Sequence, residues 1–181
     1  MQNFNKVEDT LYIPLLGRIF ASINFPDIFH DKKALEIKNK LPRNLRRQDN
    51  QTEYTLLTYA TRSVNIDRYV ANFINRNPNG IIVNLGCGLD TTYYRNDNGK
   101  IRWFEVDSAE VIKYRLEILG ETSLDKYFIA DVFKYEWIDK VRKIDDKAPI
   151  LVIASGLFNY YSKENVLNLL RMLSNYGDIE I

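Results

Sequence analysis

The run Ile81-Ile82-Val83-Asn84-Leu85-Gly86-Cys87-Gly88-Leu89-Asp90 is a short apolar stretch that breaks into a Gly-x-Gly turn. Trp103-Phe104-Glu105-Val106-Asp107 follows, a second apolar stretch that closes on a carboxylate. A buried strand can carry the first segment to a sheet edge, where glycines let the backbone approach a ligand closely. A carboxylate at the end of the next strand can accept two hydrogen bonds from a ribose diol. This order of parts suits an adenosyl cofactor held at one edge of a parallel sheet. The cofactor's identity turns on a missing residue. A dinucleotide loop carries Gly-x-Gly-x-x-Gly, whereas Gly86-Cys87-Gly88-Leu89-Asp90-Thr91 has threonine at the third glycine. A diphosphate then has a poorer cradle. A phosphate-free cofactor such as S-adenosylmethionine fits better than a nicotinamide dinucleotide.

The elements that must position these residues read as an α/β pattern behind a helical leader. Asp9 or Thr10 is placed to cap a helix through Leu11, Leu15, Leu16, Ile19 and Phe20, with Pro14 in its first turn. Asp31 caps a second, with Ala34, Ile37 and Leu41 on one face. Tyr59 to Arg76 carries Ile66, Tyr69, Val70, Phe73 and Ile74 at helical spacing, and Asn77-Pro78-Asn79-Gly80 ends it. Short strands and helices then alternate. The strands are Ile81–Leu85, Ile101–Val106, Tyr127–Ala130 and Ile150–Ala154. Helices run over Val111–Leu119 and along Phe133, Trp137, Ile138 and Val141. A last helix, capped by Ser162, carries Val166, Leu169, Leu170 and Leu173, with Gly177 at its end. Alternation of this kind implies a parallel sheet with right-handed crossovers. Asp178 to Ile181 reads as the start of a fifth strand.

Composition narrows the function classes. The 181 residues suit a single domain with a real core. A net charge of +1 gives no electrostatic case for nucleic acid or an anionic membrane. The cluster Arg43, Arg46 and Arg47 reads as a solvated surface. One cysteine permits no internal disulfide and fits a cytoplasmic protein. No apolar run approaches the roughly 18 residues that span a bilayer. No metal site is expected, since His30 stands alone in a loop.

Four motifs in order carry a family resemblance over nearly the whole chain. Asn84-Leu85-Gly86-Cys87-Gly88-Leu89-Asp90-Thr91-Thr92, with Arg95 after it, resembles the glycine-loop signature of the leucine carboxyl methyltransferase family. That family includes bacterial O-methyltransferases of polyketide biosynthesis. Phe104-Glu105-Val106-Asp107 is similar to its second motif, and Asp131-Val132-Phe133 with Trp137 to its third. Ile153-Ala154-Ser155-Gly156-Leu157-Phe158-Asn159-Tyr160 is similar to its fourth. Thr10-Leu11-Tyr12-Ile13-Pro14-Leu15 and Asp31-Lys32-Lys33-Ala34 match the bacterial branch.

The resemblance implies an S-adenosylmethionine-dependent O-methyltransferase acting on a small-molecule or carboxylate acceptor. It implies a doubly wound, mostly parallel Rossmann-like sheet over residues 81–181, with a helical cap over 1–80, in one domain. It also implies roles. Gly86 and Gly88, with Cys87 between them, would line the methionine part of the cofactor. Asp107 would take the ribose hydroxyls. Asp131 and Val132 would flank the adenine, and Arg62 would pair with the cofactor carboxylate, a task suited to a bidentate guanidinium. Structural readings stand beside these. Asp107 lies three residues before Glu110, the spacing of a capping box, and Asp131 could cap the helix near Phe133.

Two departures from the family pattern stand out. Ser155 replaces a glutamate found in many members, so it can hydrogen-bond the cofactor but supply no charge. The family sheet also continues beyond the strand on which this chain ends. The expectation is a C-terminally truncated core whose fourth strand and Val166–Leu173 helix are partly uncovered, with a sheet edge open to self-association. The competing reading is an inactive domain that binds the cofactor or a partner. No residue is singled out as a catalytic base.

Overall fold

The computed structural model describes residues 7–41, 51–120, 122 and 125–181, with side chains from residue 11 onward. The cluster Arg43, Arg46 and Arg47 lies outside the described residues. The chain divides into two compact units, Met1–Ala71 with Leu89–Asn96, and Asn72–Gly88 with Asp97–Ile181.

The first unit is helical. Helix α1 spans Val7–Asn24, α2 Lys32–Ile37 and α3 Glu53–Arg76, whose last turn belongs to the second unit; α4 is the short Thr92–Asn96. Helix α1 begins ahead of Asp9 and Thr10, so neither is its cap, and Pro14 lies inside it. The proline forfeits one backbone hydrogen bond. Burial of Leu15, Leu16 and Ile19 around it holds the helix through that point. Asp31 caps α2, accepting at Oδ1 from the Ala34 amide at 2.9 Å. Ala34 and Ile37 are buried on α2, whereas Leu41, also buried, stands past a 3-10 turn over Lys38–Lys40. Helix α3 starts six residues before Tyr59. Thr52 caps it through the Thr55 amide at 3.1 Å, and buried Leu56 and Ala60 extend its apolar stripe upstream. Tyr69 falls off that stripe and is 72% exposed.

Helices α1 and α3 meet at Gly17. A Cβ there would lie 2.6 Å from the Leu56 carbonyl oxygen and 2.9 Å from Tyr59 Cβ. Neither atom is the end of a flexible side chain, so the helices must part to admit a methyl. Gly17→Ala is therefore expected to destabilise the protein by about 1–3 kcal/mol despite alanine's better helix propensity. Urea unfolding measures it, and a neutral or stabilising substitution would show that the backbones do not approach so closely.

The interior of this unit also holds a charged network. Asp31 is fully buried; its Oδ2 accepts from Thr91 Oγ1 and Arg95 Nη1, each at 2.5 Å, and Arg18 Nε lies 3.3 Å away. Arg95 also grips both oxygens of Asp67, at 2.7 and 2.9 Å, and Arg18 donates to the Leu89 carbonyl at 2.8 Å. Burial pulls the Arg95 guanidinium down. The Asp67 hydrogen bonds and the charges of Asp31, Asp67 and Asp90 outweigh that, leaving it above its usual value.

The second unit is a five-stranded, all-parallel sheet ordered β3-β2-β1-β4-β5. The strands are β1 (Ile81–Leu85), β2 (Arg102–Asp107), β3 (Asp125–Ile129), β4 (Ile150–Ile153) and β5 (Ile179–Glu180). Between them run α5 (Ala109–Leu119), α6 (Glu136–Ile144) and α7 (Lys163–Ser174). Alternate residues choose the face. Ile81, Val83, Leu85, Phe104, Val106, Ile150 and Val152 pack with Trp137, Ile138 and Val141 of α6 and with Leu169, Met172 and Leu173 of α7. Glu105 points the other way, to Arg115 of α5. Helices therefore cover both faces, as in a doubly wound sheet.

One expectation needs correction here. Strand β4 is not uncovered: β1 and β5 flank it, and all four of its residues are buried. The apolar face of α7 is covered in part: Leu169, Met172 and Leu173 are core residues, while Val166 and Leu170 are half-buried. The fifth strand pairs in register, Ile150 with Ile179, even though it is only two residues long. Among the described residues, no helix is long and apolar enough to cross a membrane, and no group of His, Cys, Asp or Glu side chains could hold a metal ion.

Candidate functional site

The strand order reverses between β1 and β4, and ligands of open α/β sheets bind beyond the carboxyl ends at such a point. Register brings those ends level. Leu85 pairs with Val106, Asp107 with Ile129, and Asn84 with Ile153. The residues that follow, Gly86-Cys87-Gly88, Asp107, Asp131-Val132 and Ser155, therefore stand along one edge. Arg62 belongs to the other unit. It is half-buried on α3, with its guanidinium over the Tyr59 ring at 4.9 Å.

The turn after β1 is built for a close approach. Gly86 continues the ladder, its amide donating to the Val106 carbonyl at 2.8 Å, and then turns with φ of +64°. A Cβ there would lie 2.7 Å from Leu157 Cδ1. The left-handed backbone favours glycine, and a side chain would in addition have to displace the Leu157 methyl. Gly88 has φ of +49°. Cys87 between them is buried and, as the single cysteine of the chain, makes no internal disulfide.

Asp107 ends β2 and is tied to this turn. Its Oδ2 accepts from the Gly88 amide at 3.0 Å and its Oδ1 from the Ser108 amide at 2.8 Å. The helix that follows is capped by Ser108, whose Oγ accepts from the Val111 amide at 3.4 Å. Asp107 is therefore not the cap of α5, and the capping-box reading falls. Burial pushes the Asp107 carboxyl above its usual value, against the Gly88 and Ser108 amides and the Arg115 charge. A carboxylate has about four lone-pair sites, so two remain for further donors.

The third segment is also settled. Asp131 Oδ1 accepts from the Phe133 amide at 3.0 Å in a turn, and α6 begins only at Glu136 with no side-chain cap. Asp131 is thus not a helix cap, and Phe133 lies outside the helix. Val132 is buried, and its carbonyl accepts from Trp137 Nε1 at 3.0 Å. Ser155 is half-buried just beyond β4.

Three further residues belong to this edge, two of them, Tyr161 and Arg115, outside the four motifs and the third, Glu105, inside the second motif but given no role there. Tyr161 packs its ring edge-on against Phe133 at 4.4 Å. Burial, and then the charges of Asp107 and Asp131, raise its phenol above the usual value. Nothing local in the sequence marks it, because a 3-10 turn over Leu157–Tyr160 delivers it. Glu105 and Arg115 form a buried ion pair under the glycine turn. Glu105 stands two residues before Asp107, so strand alternation alone puts both on one face.

The chain matches the family model described as leucine carboxyl methyltransferase over residues 8–174. It is 26% identical over 167 residues to the tetracenomycin polyketide synthesis O-methyltransferase TcmP of Streptomyces glaucescens, covering 91% of this chain and 60% of that protein. It is also 26% identical over 184 aligned positions to the S-adenosyl-L-methionine-dependent methyltransferase dpfgK of Gibberella zeae, covering 93% and 61%. The chain thus spans about three-fifths of the length of these relatives. A crystal structure from Thermobifida fusca, provisionally described as a methyltransferase, superposes with a TM-score of 0.51 at 17% identity, covering 97% of this chain and 66% of that one. At that identity the likeness concerns the fold.

Proposed function

The chain belongs to the leucine carboxyl methyltransferase family, and on that premise we propose that its strand-end site binds S-adenosylmethionine and serves methyl transfer to an oxygen of a small-molecule or carboxylate acceptor. The observation that carries this reading is the bond from the Gly88 amide to Asp107 Oδ2. It joins the glycine turn, where Gly86 and Gly88 both hold positive φ, to the acidic strand end as one unit. The residues fit the cofactor. Asp107 keeps free acceptor sites for two ribose hydroxyls. Gly86, Cys87 and Gly88 would line the methionine portion, with Ser155 offering a neutral hydroxyl. Asp131 would accept from the adenine amino group, with Val132 as an apolar neighbour. Arg62 would pair with the cofactor carboxylate. Position 91, where a dinucleotide loop has its third glycine, is a fully buried threonine bonded to Asp31.

The bound cofactor supplies a methyl group already activated on a sulfonium. The protein's task is then mainly alignment of donor and acceptor. A carboxylate acceptor, with a pKa of ~4, is ionised at neutral pH and needs no general base. None of the strand-end residues named above is a histidine that could serve a phenol as base. Acceptors with ionised carboxylates are accordingly favoured. Incubation with labelled S-adenosylmethionine and paired carboxylate and phenol acceptors tests this. Labelled methyl ester is the expected product, and its absence from every oxygen acceptor would count against methyl transfer by this chain.

Asp107 gives a second test. Asp107→Ala is expected to weaken S-adenosylhomocysteine binding by about 1–3 kcal/mol through lost charge-assisted hydrogen bonds. The raised pKa also gives the binding a pH dependence. Only the ionised carboxylate keeps all its acceptor sites, so affinity falls on acidification, beginning above the range of an ordinary aspartate. The sign for stability is opposite. A carboxyl whose folded pKa is raised favours the fold at low pH, and that contribution is lost as pH rises through the folded value. Calorimetric titration from pH 7 downward should show the affinity loss in wild type and none in Asp107→Asn. Parallel profiles would remove Asp107 from the site.

A further inference from the structure

We propose that Arg115 is a positioning residue for the cofactor loop: its buried guanidinium, balanced by Glu105, clamps the Gly88 carbonyl and so fixes the Gly88 amide against Asp107. This inference rests on the cofactor reading above and adds a residue that the four motifs do not contain. Arg115 lies on α5, which follows β2 directly. Its Nη1 donates to the Gly88 carbonyl at 3.0 Å, and its Nη2 donates to Glu105 Oε1 at 2.6 Å. The ring of Tyr127 lies under the guanidinium at 5.3 Å. Both charged side chains are fully buried. Gly88 is therefore held through both its polar groups, the amide by Asp107 and the carbonyl by Arg115.

The chemistry of the pair argues for a role beyond stability. Two charges taken out of water pay a desolvation penalty that their attraction often only offsets, and apolar side chains of similar volume are often equally stabilising. A pair retained for the fold alone has a ready apolar substitute; a pair that presents a donor to a backbone carbonyl does not. The planar fork of arginine serves two acceptors at once, which the point charge of lysine cannot do with the same geometry. Glu105 and Asp107 share one face of β2, so the strand presents one carboxylate to neutralise the clamp and one to meet the ligand.

The test compares wild type, the paired variant Glu105→Leu/Arg115→Met, and Arg115→Lys. The paired variant removes both charges of the ion pair together, while the buried Asp125 carboxylate, which also feels the Arg115 charge, stays in place. S-adenosylhomocysteine affinity by calorimetry should fall about tenfold in the paired variant, the effect of one lost charged hydrogen bond, while the melting temperature without ligand stays near wild type. A folded paired variant that binds as well as wild type overturns the inference. So does a paired variant that does not fold, since the pair would then be serving the fold. Amide exchange gives a readout independent of ligand. In Arg115→Lys, exchange over residues 86–88 should quicken relative to β1, and unchanged exchange there also overturns the inference. Wild-type protein that binds no S-adenosylhomocysteine would overturn the cofactor reading itself, an outcome distinct from wild-type binding with an unaffected paired variant.

Discussion

Asp31→Ala should cost the fold about 3–5 kcal/mol, enough to leave most of the chain unfolded near physiological temperature. Asp31 is fully buried and answers two buried arginines, Arg18 and Arg95, as well as the Thr91 hydroxyl and the Ala34 amide. Its removal would orphan positive charge in the interior and uncap α2 in one step. Arg95 keeps Asp67 as a partner. Arg18 has less to fall back on. Its pKa is already pulled down by burial, against the charges of Asp90 and Asp31, with Arg95 and Arg62 adding to the pull. Asp31→Asn keeps the shape and the cap but not the charge, and should recover about 1 kcal/mol of the loss. Urea unfolding of the three proteins measures this. A loss below about 1 kcal/mol in Asp31→Ala would mean that water reaches the network and screens it.

Trp137→Ala should be of similar size, about 3–5 kcal/mol. The indole is fully buried between the sheet and α7, and its Nε1 donates to the Val132 carbonyl at 3.0 Å. Truncation leaves a cavity large enough that its lining cannot collapse onto it, and it frees the segment carrying Asp131 and Val132. Trp137→Phe fills most of the cavity but lacks the donor. It should retain most of the stability while weakening S-adenosylhomocysteine binding, because Val132 loses its anchor. Equal stability for Trp137→Ala and wild type in thermal unfolding would contradict the packing described.

Strands β1 and β4 were legible because they are apolar runs bounded by breakers, whereas β3 starts at Asp125-Lys126, two residues ahead of the apolar run that marks it. Ile81–Leu85 is fully buried, as such a run requires, and glycine punctuates its end. The site was legible where local sequence and strand order coincide, at Gly86, Gly88 and Asp107. Helix starts were less so. The stretch from Thr52 is less legible because Leu56 and Ala60 make only one helical step among threonines and tyrosines, and the apolar periodicity becomes dense only later. The capping-box spacing of Asp107 and Glu110 misled because a neighbouring serine takes the cap. Tyr161 and Arg115 were hidden for a different reason. Each acts through a tertiary contact, one with Phe133 28 residues away and one with Gly88 27 residues away. The network around Asp31 was hidden likewise; only its capping role, three residues long, is written locally.

The central claim is that the carboxyl edge of this sheet holds an adenosyl sulfonium cofactor and not a dinucleotide. Calorimetric titration of the protein with S-adenosylmethionine, S-adenosylhomocysteine and NAD tests it most directly. One-site binding of the first two is expected, weakened together in Asp107→Ala, with no heat of binding from NAD. Saturable binding of NAD with none of S-adenosylmethionine would contradict it.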